Sequence, residues 1–213
     1  ANIDTASHVP PVLTKTWFHT GVYVGRNHVS DFFAGLLNSE DKGEYYREPG
    51  LSNPEARARL LPDTVMPLGL TQEEEREACR ALKGSMLRQE VSAIDGTVEA
   101  EHPYTVTEQN FAIQVLQQRG QNPYGVFLTH AHETINHHYE RNPSDPRDAH
   151  VLTLEVDNFG NVLKQAAVGY GRRQPDSDLD AEDQAKQAIA NIAAALEQAR
   201  LARRHVAQPV AEH

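Results

Sequence analysis

The sequence predicts a mainly β chain with short helices, an antiparallel sheet with an amphipathic helix appended at the C-terminal end. Three observations predict it. Polar and apolar residues alternate through several stretches rich in Val, Thr and aromatics, the period of a half-buried strand. Turn-forming groups separate those stretches: Asp95-Gly96, Pro123, the run NPSDPRDAH and Asp157-Asn-Phe-Gly160. The texture then changes after Arg173, where a polar, acidic stretch leads into an Ala-rich run with Ile189, Ile192, Leu196 and Ala199 spaced three and four apart, a helical period.

Val12 to Val24 (VLTKTWFHTGVYV) reads as one strand, or two broken near Gly21. Ser30 can cap a short helix carrying Phe32, Phe33, Leu36 and Leu37, after which an irregular acidic stretch runs through Tyr45 and Tyr46. Asn53-Pro54 sets a cap followed by proline at the first helical position, leading into EARARLL until Pro62 stops it. Thr71-Gln-Glu-Glu74 has capping-box spacing, each side chain able to satisfy a backbone donor at the other end. The helix it opens should turn Ala78 and Leu82 to one face, with Cys79 buried as a small hydrophobe. Helical excursions are therefore placed over about 30–84 and a β region over about 86–173, with Tyr104, Val106, Phe111, Ile113 and Val115 facing inward. GVFLTHAHETINHHYER follows as a strand, and VLTLEVDNFGNVLKQAAVGYGRR as two strands joined at Asp157–Gly160.

Composition excludes some function classes. The chain has 213 residues, long enough for one core, and a formal net charge of −10 with basic residues grouped only at Arg200, Arg203 and Arg204. Such a chain lacks the electrostatic footprint of nucleic-acid binding. A single cysteine excludes an internal disulfide framework. No run of about 18 apolar residues offers a membrane span, and no charged-then-apolar opening reads as a signal peptide.

Only one cluster invites a catalytic reading. His130, His132, His137 and His138 fall within nine positions, beside Glu133. A zinc protease spaces its ligands H-E-x-x-H, so that both imidazoles lie on one helical face. Here His132-Glu133 is followed by His137, one residue too far, which rotates the second ring by about 100° on a helix. On a strand, His132 and His138 share a face with Asn136 while His130 lies further along, so no compact cage follows. Surface histidines are the favoured reading, and a small metal-dependent hydrolase using His130, His132 and His138 is the alternative. The acids Glu73, Glu74, Glu75 and Glu77 suit a helix N-terminus, where the macrodipole favours negative charge, and read as a solvated face. No nucleophile elbow or phosphate loop is present: Gly169-Tyr-Gly171 follows a strand but opens no helix. Ser85 and Ser92 precede His102 without the pattern of an activated nucleophile. No catalytic residue and no cofactor is expected.

Five phrases in order carry a resemblance: PPVLTKTWFHTGVY, LKGSMLRQEVSAIDGT, HPYTVTEQNFAIQVLQQRGQNPYGVF, INHHYERNPSDPR and LEVDNFGNVLKQAAVGYGRR. From Pro10 to Arg173 the chain resembles the middle/C-terminal module of TcdB-like proteins, the B components of bacterial insecticidal (Tc or ABC) toxin complexes. The resemblance implies a non-catalytic structural role in a secreted complex. A B component joins a C component carrying Rhs repeats to form a β shell around a cytotoxic polypeptide, and docks on a pore-forming A component. The sheet is then a fragment of an Rhs-type β shell adjoining those repeats. Asp157, Gly160 and Asn161 are similar to the turn of an Rhs or YD repeat. After about Gln184 the resemblance implies further β sequence, where the Ala-rich run stands instead. Residues 174–213 are therefore set apart from the 1–173 module as an acidic linker and helix.

Overall fold

The computed structural model describes residues 11–35 and 43–174, together with Lys186. Six strands form one sheet in the order β1-β2-β3-β4-β5-β6, every neighbouring pair antiparallel. They are β1 (Val12–Phe18), β2 (Met86–Ala93), β3 (Thr105–Gln117), β4 (Val126–His138), β5 (Arg147–Val156) and β6 (Val162–Gly169). Two helices, α1 (Asn53–Arg59) and α2 (Gln72–Ala81), lie in the long connection between β1 and β2. The expected C-terminal helix lies outside the described residues, except for Lys186.

Residues paired directly across neighbouring strands share a face. The register therefore draws one row through Trp17, Arg88, Glu108, Ile135 and His150, a second through Glu90, Val106 and His137, and a third through Asn110, Glu133 and Leu152. All eleven side chains are buried. The cover over this face comes from the β1–β2 connection: Tyr45 packs edge-on against Trp17, and Glu44 accepts from Trp17 Nε1 at 2.7 Å. Where β2 stops pairing with β3, the connection takes its place along the strand edge. Asn110 Nδ2 donates to Pro62 O at 2.9 Å, Phe111 N donates to Thr64 Oγ1 at 3.1 Å, and Val65 bridges Ala112 in parallel.

The chain then reaches the other face, where α2 closes an apolar cluster of Val29, Met66, Ala78, Cys79, Leu82, Leu87, Phe111 and Ile113. Leu82 is fully buried, worth about 1.5–3 kcal/mol by area removed from water. The α2 capping box forms as the sequence predicts: Glu74 N donates to Thr71 Oγ1 at 3.3 Å and Thr71 N donates to Glu74 Oε2 at 2.9 Å. Burial pushes the Cys79 thiol up to about 11, which leaves it an inert core side chain.

Five local expectations change. The first strand ends at Phe18, with Val22 and Val24 exposed beyond it. Ser30 is not a helix cap; Asp31 takes that place before a 3-10 turn, Phe32–Ala34, because Ser30 Oγ is spent on Thr64 Oγ1 at 2.8 Å. Ser52 rather than Asn53 caps α1, through a reciprocal pairing with Glu55. Glu74 and Glu75 are buried rather than solvated. Glu74 Oε1 accepts from Arg119 N at 2.8 Å, and Glu75 pairs with Arg26 at 2.7 Å and with the Tyr23 hydroxyl. The inward set also splits, because Val106 lies on one face while Phe111 and Ile113 lie on the face against α2.

Candidate functional site

The buried face is polar to an unusual degree, and its charges are matched in groups. Arg88 is 4% exposed and donates from Nε to Glu90 at 2.8 Å and from Nη1 to Glu108. Its guanidinium lies 4.7 Å from the centre of the Tyr45 ring. Burial alone would lower its basicity, but Glu108 and Glu90 more than offset that and hold it above its ordinary value. Both carboxylates also fasten the covering segment, Glu90 accepting from Tyr46 N at 2.7 Å and Glu108 from Leu61 N at 2.6 Å. The guanidinium group is thus a clamp between sheet and cover.

A second group centres on Glu133. His150 Nε2 lies 3.1 Å from Glu133 Oε2, His132 Nδ1 lies 3.4 Å from Oε1, and Asn110 Nδ2 donates to Oε1 at 3.2 Å. Burial raises the carboxyl, yet hydrogen bonds from His132, His150 and Asn110 outweigh it and bring it to about 2, so Glu133 is ionised. His150 reaches onward through Nδ1 to the Tyr170 hydroxyl at 2.9 Å. A third group ties three chain segments together at Glu48, which accepts from Arg173 Nη1 and Nη2 and from the Tyr139 hydroxyl, each at 2.8 Å.

The sequence-nominated histidines do not join into a site. His130 pairs with Ala112 and His138 with Thr105, and β3 alternates regularly between those partners, so the two histidines occupy opposite faces. Between them β4 carries one extra residue: Glu133 opposes Asn110 and Ala131 opposes Phe111, leaving His132 as the bulge. The bulge turns His132 to the Glu133 carboxylate, away from the face it was expected to share with His138 and Asn136. The three convergent imidazoles that a hydrolase using His130, His132 and His138 would need are not assembled. Among the described residues no group of three or more His, Cys, Asp and Glu side chains is placed to hold a metal ion.

The Asp157–Asn161 turn is self-contained. Asp157 Oδ1 accepts from Phe159 N at 2.8 Å and Asn161 N at 2.9 Å, while Oδ2 accepts from Asn161 Nδ2 at 2.8 Å. Gly160 has φ +84°, a conformation that L side chains rarely adopt. Phe159 at the tip is 87% exposed. The functionally suggestive residues that periodicity left unmarked are Arg88, Glu133, His150 and Tyr170. The one sequence signal for them is charged residues at inward phases of a strand, as in Arg88-x-Glu90.

The family model described as "Insecticide toxin TcdB middle/C-terminal region" matches residues 77–208. The chain belongs to this family. The match continues past Arg173 through most of the Ala-rich run. No curated protein sequence matches the chain. Among solved structures, the complex described as TcdB2-TccC3-Cdc42 is similar at 30% identity and a TM-score of 0.62, over 85% of this chain and 8% of the matched one. TcdB2-TccC3 without its hypervariable C-terminal region is similar at 32% identity and TM-score 0.59, over 80% and 8%. The Photorhabdus luminescens Tc holotoxin pore is similar at 30% identity and TM-score 0.60, over 80% and 7%. The TcdB-like chain therefore spans less than a tenth of the chains it matches. Among its described residues no helix is long and apolar enough to cross a membrane.

Proposed function

We propose that this TcdB-like segment is a non-catalytic structural part of a toxin-complex B component, building the wall of a shell that encloses and helps deliver a cytotoxic polypeptide. Its partners are a C component with Rhs repeats and the A component, in a secreted, extracellular complex. The single observation carrying this reading is the likeness, at 30% identity over 85% of the chain, to one chain of a TcdB2-TccC3 assembly. Physical features support it. The outer strands β1 and β6 each pair on one side only among the described residues, which suits a sheet that neighbouring strands extend. Ion pairs and hydrogen bonds within the fold occupy the buried polar groups, as in a wall, where a reaction centre would keep reactive groups open to substrate. The Asp157–Asn161 hairpin acts in this reading as a YD-like structural turn, with Gly160 permitting the bend and Asp157 filling it.

The test is a pull-down of the full-length protein against candidate C and A components, with metal content measured on the same sample. Stable, metal-free co-assembly is the expected result. Absence of any partner together with stoichiometric zinc would overturn the structural reading in favour of a metal-dependent hydrolase.

A further inference from the structure

His19 follows β1 directly and is 1% exposed. Its main chain is anchored beyond α2, with His19 N donating to Ser85 O and Gly84 N donating to His19 O, both at 2.8 Å. Its ring holds the segment that comes next. Nε2 lies 2.6 Å from Val29 O, and Nδ1 accepts from Gly21 N at 2.9 Å. A carbonyl oxygen only accepts and a backbone N–H only donates, so Nε2 must carry the hydrogen and Nδ1 must be bare. Only one neutral tautomer satisfies both bonds, and the imidazolium satisfies at most one. What the ring fastens is part of the core, because Val29 is fully buried against Leu82, Cys79 and Phe111.

We propose that His19 is an acid-sensitive pin for residues 20–35: the neutral ring fastens the segment at both Gly21 and Val29, and a proton on Nδ1 breaks the Gly21 bond while leaving the Val29 bond, which loosens the segment from its Gly21 end. The surroundings do not compensate a charge on the ring. Phe32 stands edge-on at 5.9 Å between ring centres. The Arg80 backbone and the Lys83 side-chain stem lie against the Gly21 position, with both residues exposed. The remaining charged groups of the packed segments are already engaged, Asp63 with Val29 N and Ser30 N at 2.6 and 2.7 Å, and His28 with Asp31 at 3.0 Å.

Burial lowers the basicity of His19 below its ordinary value of 6.5, with the Val29 bond acting the other way. For a base weakened by folding, the open state takes the proton first. Attachment is then complete above the free value and weakens as pH falls below it, by at most about tenfold in the opening equilibrium per pH unit. Asp63 has the opposite sign: burial raises its carboxyl, so its contribution weakens as pH rises.

The test is amide hydrogen exchange of the full-length protein from about pH 7.5 to about pH 4.5, each rate divided by its intrinsic value. Opening of residues 20–35 is expected to grow up to about tenfold per pH unit below the free histidine value, while β3 and β4 stay level. His19→Gln is expected to remove that dependence and Asp63→Asn to leave it. A level wild-type profile, or an unchanged one in His19→Gln, would overturn the proposal. A readout independent of the variant's folding is C2–H exchange of the His19 ring in the wild type. A midpoint below the free value is expected, and one at or above it would overturn the pin.

Discussion

Replacing Arg88 by alanine is expected to unfasten the cover from the sheet. The side chain is enclosed among Glu90, Glu108 and Tyr45, and both carboxylates also bond backbone amides of the covering segment. Removing the cation leaves two carboxylates buried at 5% and 6% exposure beside each other, with nothing positive between them. Stranding one partner of a buried ion pair costs about 3–5 kcal/mol. A cost confined to one cover need not register as a two-state change in a global unfolding free energy. Local opening by hydrogen exchange is the better assay. Amides of β2 and β3 and those of Tyr46 and Leu61 should exchange about 10²- to 5 × 10³-fold faster in Arg88→Ala. The compensated variant Arg88→Met with Glu90→Gln and Glu108→Gln should recover most of that protection, because replacing a whole buried ionic group with neutral side chains is often nearly neutral. A change below about tenfold, roughly 1.4 kcal/mol, in Arg88→Ala would refute the clamp. Equal loss in the triple variant would show that shape rather than charge is what matters.

The Glu133 carboxyl, brought from 4.5 to about 2, contributes stability of about 3 kcal/mol that is fully present above its unfolded value and is lost as pH falls from about 4.5 toward 2. Exchange at the β4–β5 pairing should therefore rise through that acid range in the wild type and remain level in Glu133→Gln. Gly160→Ala should loosen the β5–β6 hairpin by about 1–2 kcal/mol, read as faster exchange at Asn161. The added methyl would meet Leu128 at an ordinary 3.5 Å, so the cost is that of φ +84° alone and Gly160→Asn should recover part of it.

What the sequence made legible depended on how locally each feature is determined. The Thr71-x-x-Glu74 box and the Asp157–Gly160 turn are closed by residues within four positions of one another, and both form as their spacing predicts. The strands were likewise readable from alternation, and the order of β2 to β6 follows from a meander of short connections. The covering of each face was not readable, because it depends on the β1–β2 connection crossing from one face to the other along the unpaired edge of β3 at Pro62, Thr64 and Val65. That crossing explains why β3 is buried at both Asn110 and Phe111, adjacent residues that period-two reasoning assigns to opposite environments.

The candidate site failed to be legible for a related reason. A strand of strict alternation would have placed His132 with His138, but the extra residue in β4 resets the phase at His132 itself. Bulges re-aim side chains without a consistent sequence mark, and here the bulge spends the imidazole on a carboxylate already bonded to Asn110 and facing His150. The same step that removes His132 from a metal-binding reading completes the charge matching of the buried face. Histidines dense enough in sequence to suggest a metal are, in this fold, distributed between a core ion network, the exposed end of a strand and the opposite face. Histidine spacing in a strand therefore supports a ligand set only once the register has been shown to be continuous across it.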